Sequence, residues 1–234
     1  MSKLSSRQAR IALVVSVGLT LFLYVVPLGA TLAYPLVLLS TLAHELGHGI
    51  AAMMVGCSFD TFVLYSDGSG AAMTSGNPGR IGRAFISMGG LIGPALAASG
   101  CFVVGRNSRA SRSALVIIGA LLILALVMVI RNLFGWFFVS CVAGLCLWGG
   151  LKAAKDVAQL IVLFVGVQLA LSVFSRSDYL FTDTARTATG TMPSDVAHIS
   201  EALFLPYWVW GLVTGGISIA VLVGGMRSFI RDTR

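Results

Sequence analysis

His44, Glu45 and His48 fall within five residues, in the run HELGH. On a helix, side chains four apart share one face, about one turn from each other. Two imidazoles at that spacing can bind one Zn²⁺ while the backbone stays helical. Glu45, next to the first imidazole, reaches a water on the metal without being a ligand itself. Zinc lowers the pKa of such a water toward ~7, and a carboxylate there accepts its proton during attack on a carbonyl. The motif points to hydrolytic metal chemistry, with His44 and His48 as ligands and Glu45 as general base.

Two histidines make an incomplete site, because a catalytic zinc takes three protein ligands and keeps one open position. The third ligand must come from elsewhere in the chain. Residues 176–203 hold four of the nine acidic residues. Asp195 is the first candidate, since Pro193-Ser194-Asp195 reads as the start of a short helix directly before the last apolar stretch. Asp178 and Asp183 are alternatives. His198, three residues after Asp195, is either a partner behind the ligand or the ligand itself.

The elements that position these groups are membrane spans. Of 234 residues, 57% are hydrophobic and only 11% charged, against about 25% charged in soluble domains. Residues 11–43 contain no charged side chain. Stretches of about 20 apolar residues, the length of a span, cover 11–31, 35–55, 84–105, 114–130, 132–151, 157–175 and 204–226. The expected fold is an all-α polytopic membrane protein of one domain, residues 1–234, with six or seven transmembrane helices. Seven crossings put eight Lys and Arg on each side, so the positive-inside rule leaves orientation open. If one of the first two segments does not cross, the split becomes eleven to five, which keeps six crossings in play. The net charge of +7 lies in termini and short loops, the pattern of basic flanks beside spans and not of a nucleic-acid surface.

The motif helix is expected to start at Tyr34-Pro35, since Pro suits a first helical turn. His44 then lies ~14 Å along the axis at 1.5 Å per residue, within the hydrocarbon layer, where ionisable groups are costly and functional by default. Gly47 and Gly49 thin the surface around His48 for a close neighbour, whether helix or substrate strand, and the glycine-rich GGLIGP at 89–94 reads as helix packing. Residues 57–80 alternate in polarity around Asp67-Gly68, which predicts a β-hairpin. Residues 176–203 are expected to be a loop with a short helix. Arg131 alone separates two apolar segments, which predicts a tight helical hairpin. Asn132 beside it is an intramembrane amide that either orients substrate backbone or bonds across helices. Cys57, Cys101, Cys141 and Cys146 lack metal spacing and read as buried small hydrophobes.

Several stretches together resemble a known family. HELGHGIAAMMVGCSF followed by LYSDGSGAAMT, SMGGLIGPALAASG, IRNLFGWFFV, LFVGVQLALSVF and PSDVAHISEALFLPYWVWG occur in the order found in the M50 membrane zinc metallopeptidases. These are the site-2 protease group, and the similarity is to its M50B-like branch over most of residues 35–215. The resemblance implies zinc held by His44 and His48, Glu45 as general base, and Asp195 as the carboxylate ligand. It also implies a multi-pass protein of the cell membrane whose substrates are membrane-anchored proteins. The leading expectation is an intramembrane zinc metalloendopeptidase. The alternative is a catalytically silent membrane scaffold or binding protein with the same fold. An ion transporter is disfavoured, since the chain shows neither internal repeats nor intramembrane acids spread over several spans.

Overall fold

A computed structural model describes residues 3–175, 177–188 and 190–233. The element order is α1 (Lys3–Val25), α2 (Gly29–Met54), β1 (Ser58–Leu64), β2 (Gly70–Ser75), α3 (Gly79–Val104), α4 (Ser108–Met128), α5 (Leu133–Leu151) and α6 (Lys155–Ser175). A 3-10 turn (Ser177–Phe181), β3 (Thr184–Thr187), β4 (Gly190–Pro193), α7 (Asp195–Leu203) and α8 (Tyr207–Thr233) follow. Seven of these helices, all but α7, are long and apolar enough to cross a membrane. Large apolar side chains such as Leu21, Phe22, Leu121, Leu124 and Phe137 are exposed on them, as expected of surfaces solvated by lipid instead of water. The protein is an all-α polytopic membrane protein carrying small β-hairpins.

Three details differ from the sequence expectation, the third being the α4–α5 connection. The motif helix starts at Gly29, not at Tyr34-Pro35, and Pro35 is inside it. Leu28 takes a left-handed conformation (φ 67°) at the end of the α1–α2 turn, and its carbonyl accepts from Leu32 N. An interior proline removes one backbone hydrogen bond. In lipid a longer unfolded approach would leave several groups unpaired, so the helix continues through it. His44 is then fifteen residues from the start of α2 and ten from its end, close to the middle of the span. The second difference lies in residues 176–203, where β3 and β4 form an antiparallel hairpin ahead of the expected short helix.

The first hairpin pairs β1 with β2 in the register Phe62↔Ala72 and Leu64↔Gly70, with a bulge at Asp60 between Phe59 and Thr61. It folds back along α2. Tyr34 Oη donates to Ser66 O (2.6 Å) and Thr41 Oγ1 to Gly68 O (2.7 Å), which places the hairpin tip beside the N-terminal half of α2. Phe62 and Leu64, both fully buried, pack between Leu38 and Leu42 of α2 and Leu122, Leu126 and Val139 of α4 and α5. The α4–α5 connection is more than a tight turn. Phe62 N donates to Val129 O (2.7 Å), and Arg131 N donates to Phe62 O (3.1 Å), so residues 129–131 run beside β1 as a short parallel partner. One edge of β1 is therefore satisfied by β2 and the other by this segment. Among the described residues β2 has no strand on its own outer edge.

α3 lies at the centre of the bundle. One face packs on α2. Ala84 and Leu91 meet Val196, Ile199 and Ala202 of α7. Ala95, Ala98 and Phe102 join Leu163 and Val167 of α6 and Leu222 and Phe229 of α8.

Candidate metal centre

The α2–α3 crossing brings two backbones into contact because neither helix carries side chains there. A Cβ on Gly47 would overlap the carbonyl of Gly89, one on Gly89 would overlap Ala51, and one on Gly93 would lie 2.8 Å from Ala43 O. The glycines of both helices thus serve their mutual packing. Gly49 is likewise covered, by the ring of Phe59 from β1. Neither glycine of the motif is open to a substrate strand.

This crossing fixes His48. A Cβ on Gly90 would fall inside the His48 imidazole, so the ring occupies the space that the glycine leaves. His48 Nδ1 lies 2.9 Å from Ile86 O of α3. A carbonyl can only accept, so Nδ1 carries the hydrogen and Nε2 is left with a lone pair. That lone pair points toward His44, with 3.1 Å between the two Nε2 atoms and the rings nearly perpendicular at 89°.

Asp195 reaches the same point from the other end of the chain. It is the first residue of α7 and 9% exposed. Its Oδ2 lies 3.0 Å from His44 Nε2 and its Oδ1 3.3 Å from His48 Nε2. Despite that proximity Oδ2 has no hydrogen-bond partner.

Two imidazole nitrogens and a carboxylate converge here, with one carboxylate oxygen left without a hydrogen bond, an arrangement that a cation completes. The donors fit one by distance as well. Bonds of about 2.0–2.1 Å in a tetrahedral zinc site place ligand atoms roughly 3.3 Å apart. Here the three close separations are 3.0, 3.1 and 3.3 Å, and all candidate ligand atoms lie within 4.8 Å of one another. His44, His48 and Asp195 could hold a metal ion.

Glu45 is 7% exposed and lines a cavity of about 110 Å³ with His44, Thr41, Gly70, Tyr179 and Thr187. The first hairpin approaches it closely because Gly70 is bare. A Cβ there would lie 2.9 Å from Glu45 Cγ and 2.8 Å from Thr41 Cγ2. β3 covers another side through Ala185 and Thr187, and Ala188 N donates to Ser69 Oγ of the first hairpin (3.3 Å).

The other sequence candidates lie elsewhere. Asp183 is exposed, and its backbone carbonyl accepts from Ser194 N. His198 is exposed on α7. The side chain of Asp178 lies outside the described residues. Asn132 has both ends of its amide engaged by the hairpin. Oδ1 accepts from Leu64 N (3.2 Å) and Nδ2 donates to Leu64 O (2.6 Å), extending the ladder beside β1 by one residue. Sequence reasoning did not anticipate Tyr179, whose ring centroid is 6.1 Å from that of His44, nor Ile86, whose contribution is a main-chain oxygen. The four cysteines are free and none lies in the donor cluster.

A sequence model of the family described as Peptidase M50B-like matches residues 11–225. The chain belongs to the Peptidase M50B-like family. Searches of curated proteins and of solved structures return no match. Family membership and the seven apolar helices together make this M50B-like chain a multi-pass membrane protein related to the metallopeptidases.

Proposed function

We propose that the protein is an intramembrane zinc metalloendopeptidase of the cell membrane that cuts membrane-anchored proteins. The observation that carries this reading is the convergence of His44, His48 and Asp195 beside a cavity that also contains Glu45. His44, His48 and Asp195 hold the ion. Zinc bound there supplies Lewis acidity, which makes water nucleophilic near neutral pH and polarises the scissile carbonyl. Ile86 O keeps His48 in the tautomer that presents Nε2. Glu45 accepts the proton of the attacking water as the C–O bond forms, then delivers it to the leaving amide nitrogen as the C–N bond breaks.

The outer edge of β2 is the proposed substrate platform. A peptide bond inside a helix is shielded by its own hydrogen bonds, whereas an extended segment added to a strand edge leaves alternate carbonyls free on its far side. Gly70, the first residue of β2, turns one face toward Glu45, so a segment paired beside that end of the strand would lie near the general base. Asn132 serves this platform indirectly, by fixing β1 through Leu64.

The deciding experiment compares Glu45→Gln and His44→Ala with the wild type, purified in detergent and assayed on a panel of fluorogenic single-span peptides in proteoliposomes. The expected result is that E45Q keeps one zinc per chain and loses at least ~100-fold in cleavage, while H44A loses both. Cleavage that survives E45Q at the wild-type rate would overturn the assignment of the base. Zinc binding with no cleavage of any peptide by the wild type would favour a silent scaffold.

A further inference from the structure

The Asp195 carboxylate faces the two imidazoles that it would share a metal with, and its Oδ2 is without a hydrogen bond. Apart from those rings, its position is set by the backbone that carries it. That backbone is tied at the preceding residue. Ser194 is fully buried, and all four of its polar functions are used. Its N–H donates to Asp183 O (2.9 Å). Its hydroxyl donates to Thr182 O (2.6 Å) and accepts from Ala197 N (3.2 Å). Its carbonyl accepts from His198 N (2.9 Å). Two of these bonds start α7 and two fasten it to Thr182 and Asp183, which lead into β3.

We infer that Ser194 is a positioning residue for the metal centre, setting where Asp195 presents its carboxylate to the two imidazoles. The inference rests on the metal reading proposed above. A helix cap alone would need only the bond from Ala197 N. The short bond to Thr182 O does nothing for the helix and instead fixes its first turn relative to β3, Tyr179 and the cavity. A ligand that is free to move by half an ångström to an ångström loses coordination strength, and groups that orient a ligand typically contribute 10–100-fold in metal affinity.

The test separates capping from positioning. Glycine caps helices nearly as well as serine, and Ser194 has ordinary extended torsions (φ −76°, ψ 167°) that any residue can adopt. Ser194→Gly therefore removes the tie to Thr182 while leaving the helix start largely intact. Full-length protein in detergent is titrated with zinc against a chromophoric chelator, and the metal-free forms are compared by thermal unfolding. We expect S194G to unfold near the wild type when metal-free but to bind zinc ~10–100-fold more weakly, with S194T restoring affinity to within a few-fold. Wild-type affinity in S194G, with wild-type protein binding zinc normally, would overturn the positioning role alone. Wild-type protein that takes up no zinc would overturn the metal reading and this inference with it. Should S194G not fold, S194A carries the same zinc comparison, and equal affinity there is equally decisive.

Discussion

α2 and α7 deliver donors to the same point by opposite means. α2 is a 26-residue span whose own periodicity places His44 and His48 one turn apart, so their mutual position is set once the helix forms. α7 has nine residues, too few for a stable isolated helix. It is held by packing on α3 and by ties at both ends. Ser194 fastens the start. At the other end Arg80 of α3 donates from Nε to Ala202 O (2.9 Å) and places its guanidinium over Phe204, 3.6 Å from the ring centroid. The pair of donors on the long helix is robust to changes in distant contacts. The single donor on the short helix depends on every contact that locates it.

That contrast can be broken or sharpened by substitution. The largest effect is expected at Gly90. Gly90→Val inserts a branched side chain where the His48 ring sits, and should abolish zinc binding, a loss of at least ~100-fold by chelator competition. Unchanged affinity would mean that the crossing does not fix His48. Next comes Asn132→Ala, which removes two hydrogen bonds to a buried strand. It should lower stability by about 2 kcal/mol and reduce cleavage while zinc content stays at the wild-type level, since the hairpin carries no donor. A smaller effect is expected from Arg80→Ala. Its exposed cation–π and hydrogen-bond contacts contribute about 1 kcal/mol, so zinc affinity should fall several-fold through α7 with His44 and His48 undisturbed. Gly144→Ala is the control. A Cβ there meets nothing within 4 Å, so stability should rise by at most about 1 kcal/mol and zinc affinity should stay at the wild-type level.

The same contrast explains what could be read from the sequence. His44, Glu45 and His48 were legible because a local spacing encodes their geometry. The apolar runs were legible because lipid requires unbroken helices of a set length. Asp195 needed more than spacing. It could be put first among the acidic residues before the last span by the helix start at Pro193-Ser194-Asp195, with the family resemblance pointing the same way. Gly90 was legible as a packing residue but not as the mould for His48, because that role exists only across the α2–α3 crossing. The β3–β4 hairpin, TARTATGTMP in its flanking sequence, was missed because its residues are mostly small and polar and show no alternation for a buried face. The start of α2 was misplaced by weighing Pro35 as a helix opener, when the membrane setting favoured extending the helix past it.

Ile86 and Arg80 lie on one helix, six residues or about 9 Å apart along its axis. One steadies an imidazole of α2 and the other anchors the far end of α7. α3 is therefore a shared ruler against which both donor carriers are measured. A tilt or slide of α3 as a rigid rod carries both reference marks together and leaves the ligand triangle nearly unchanged. A bend between those marks changes their spacing and opens the triangle. The metal grip should accordingly tolerate bilayers of different thickness, which tilt helices, better than anything that flexes α3 over that short interval.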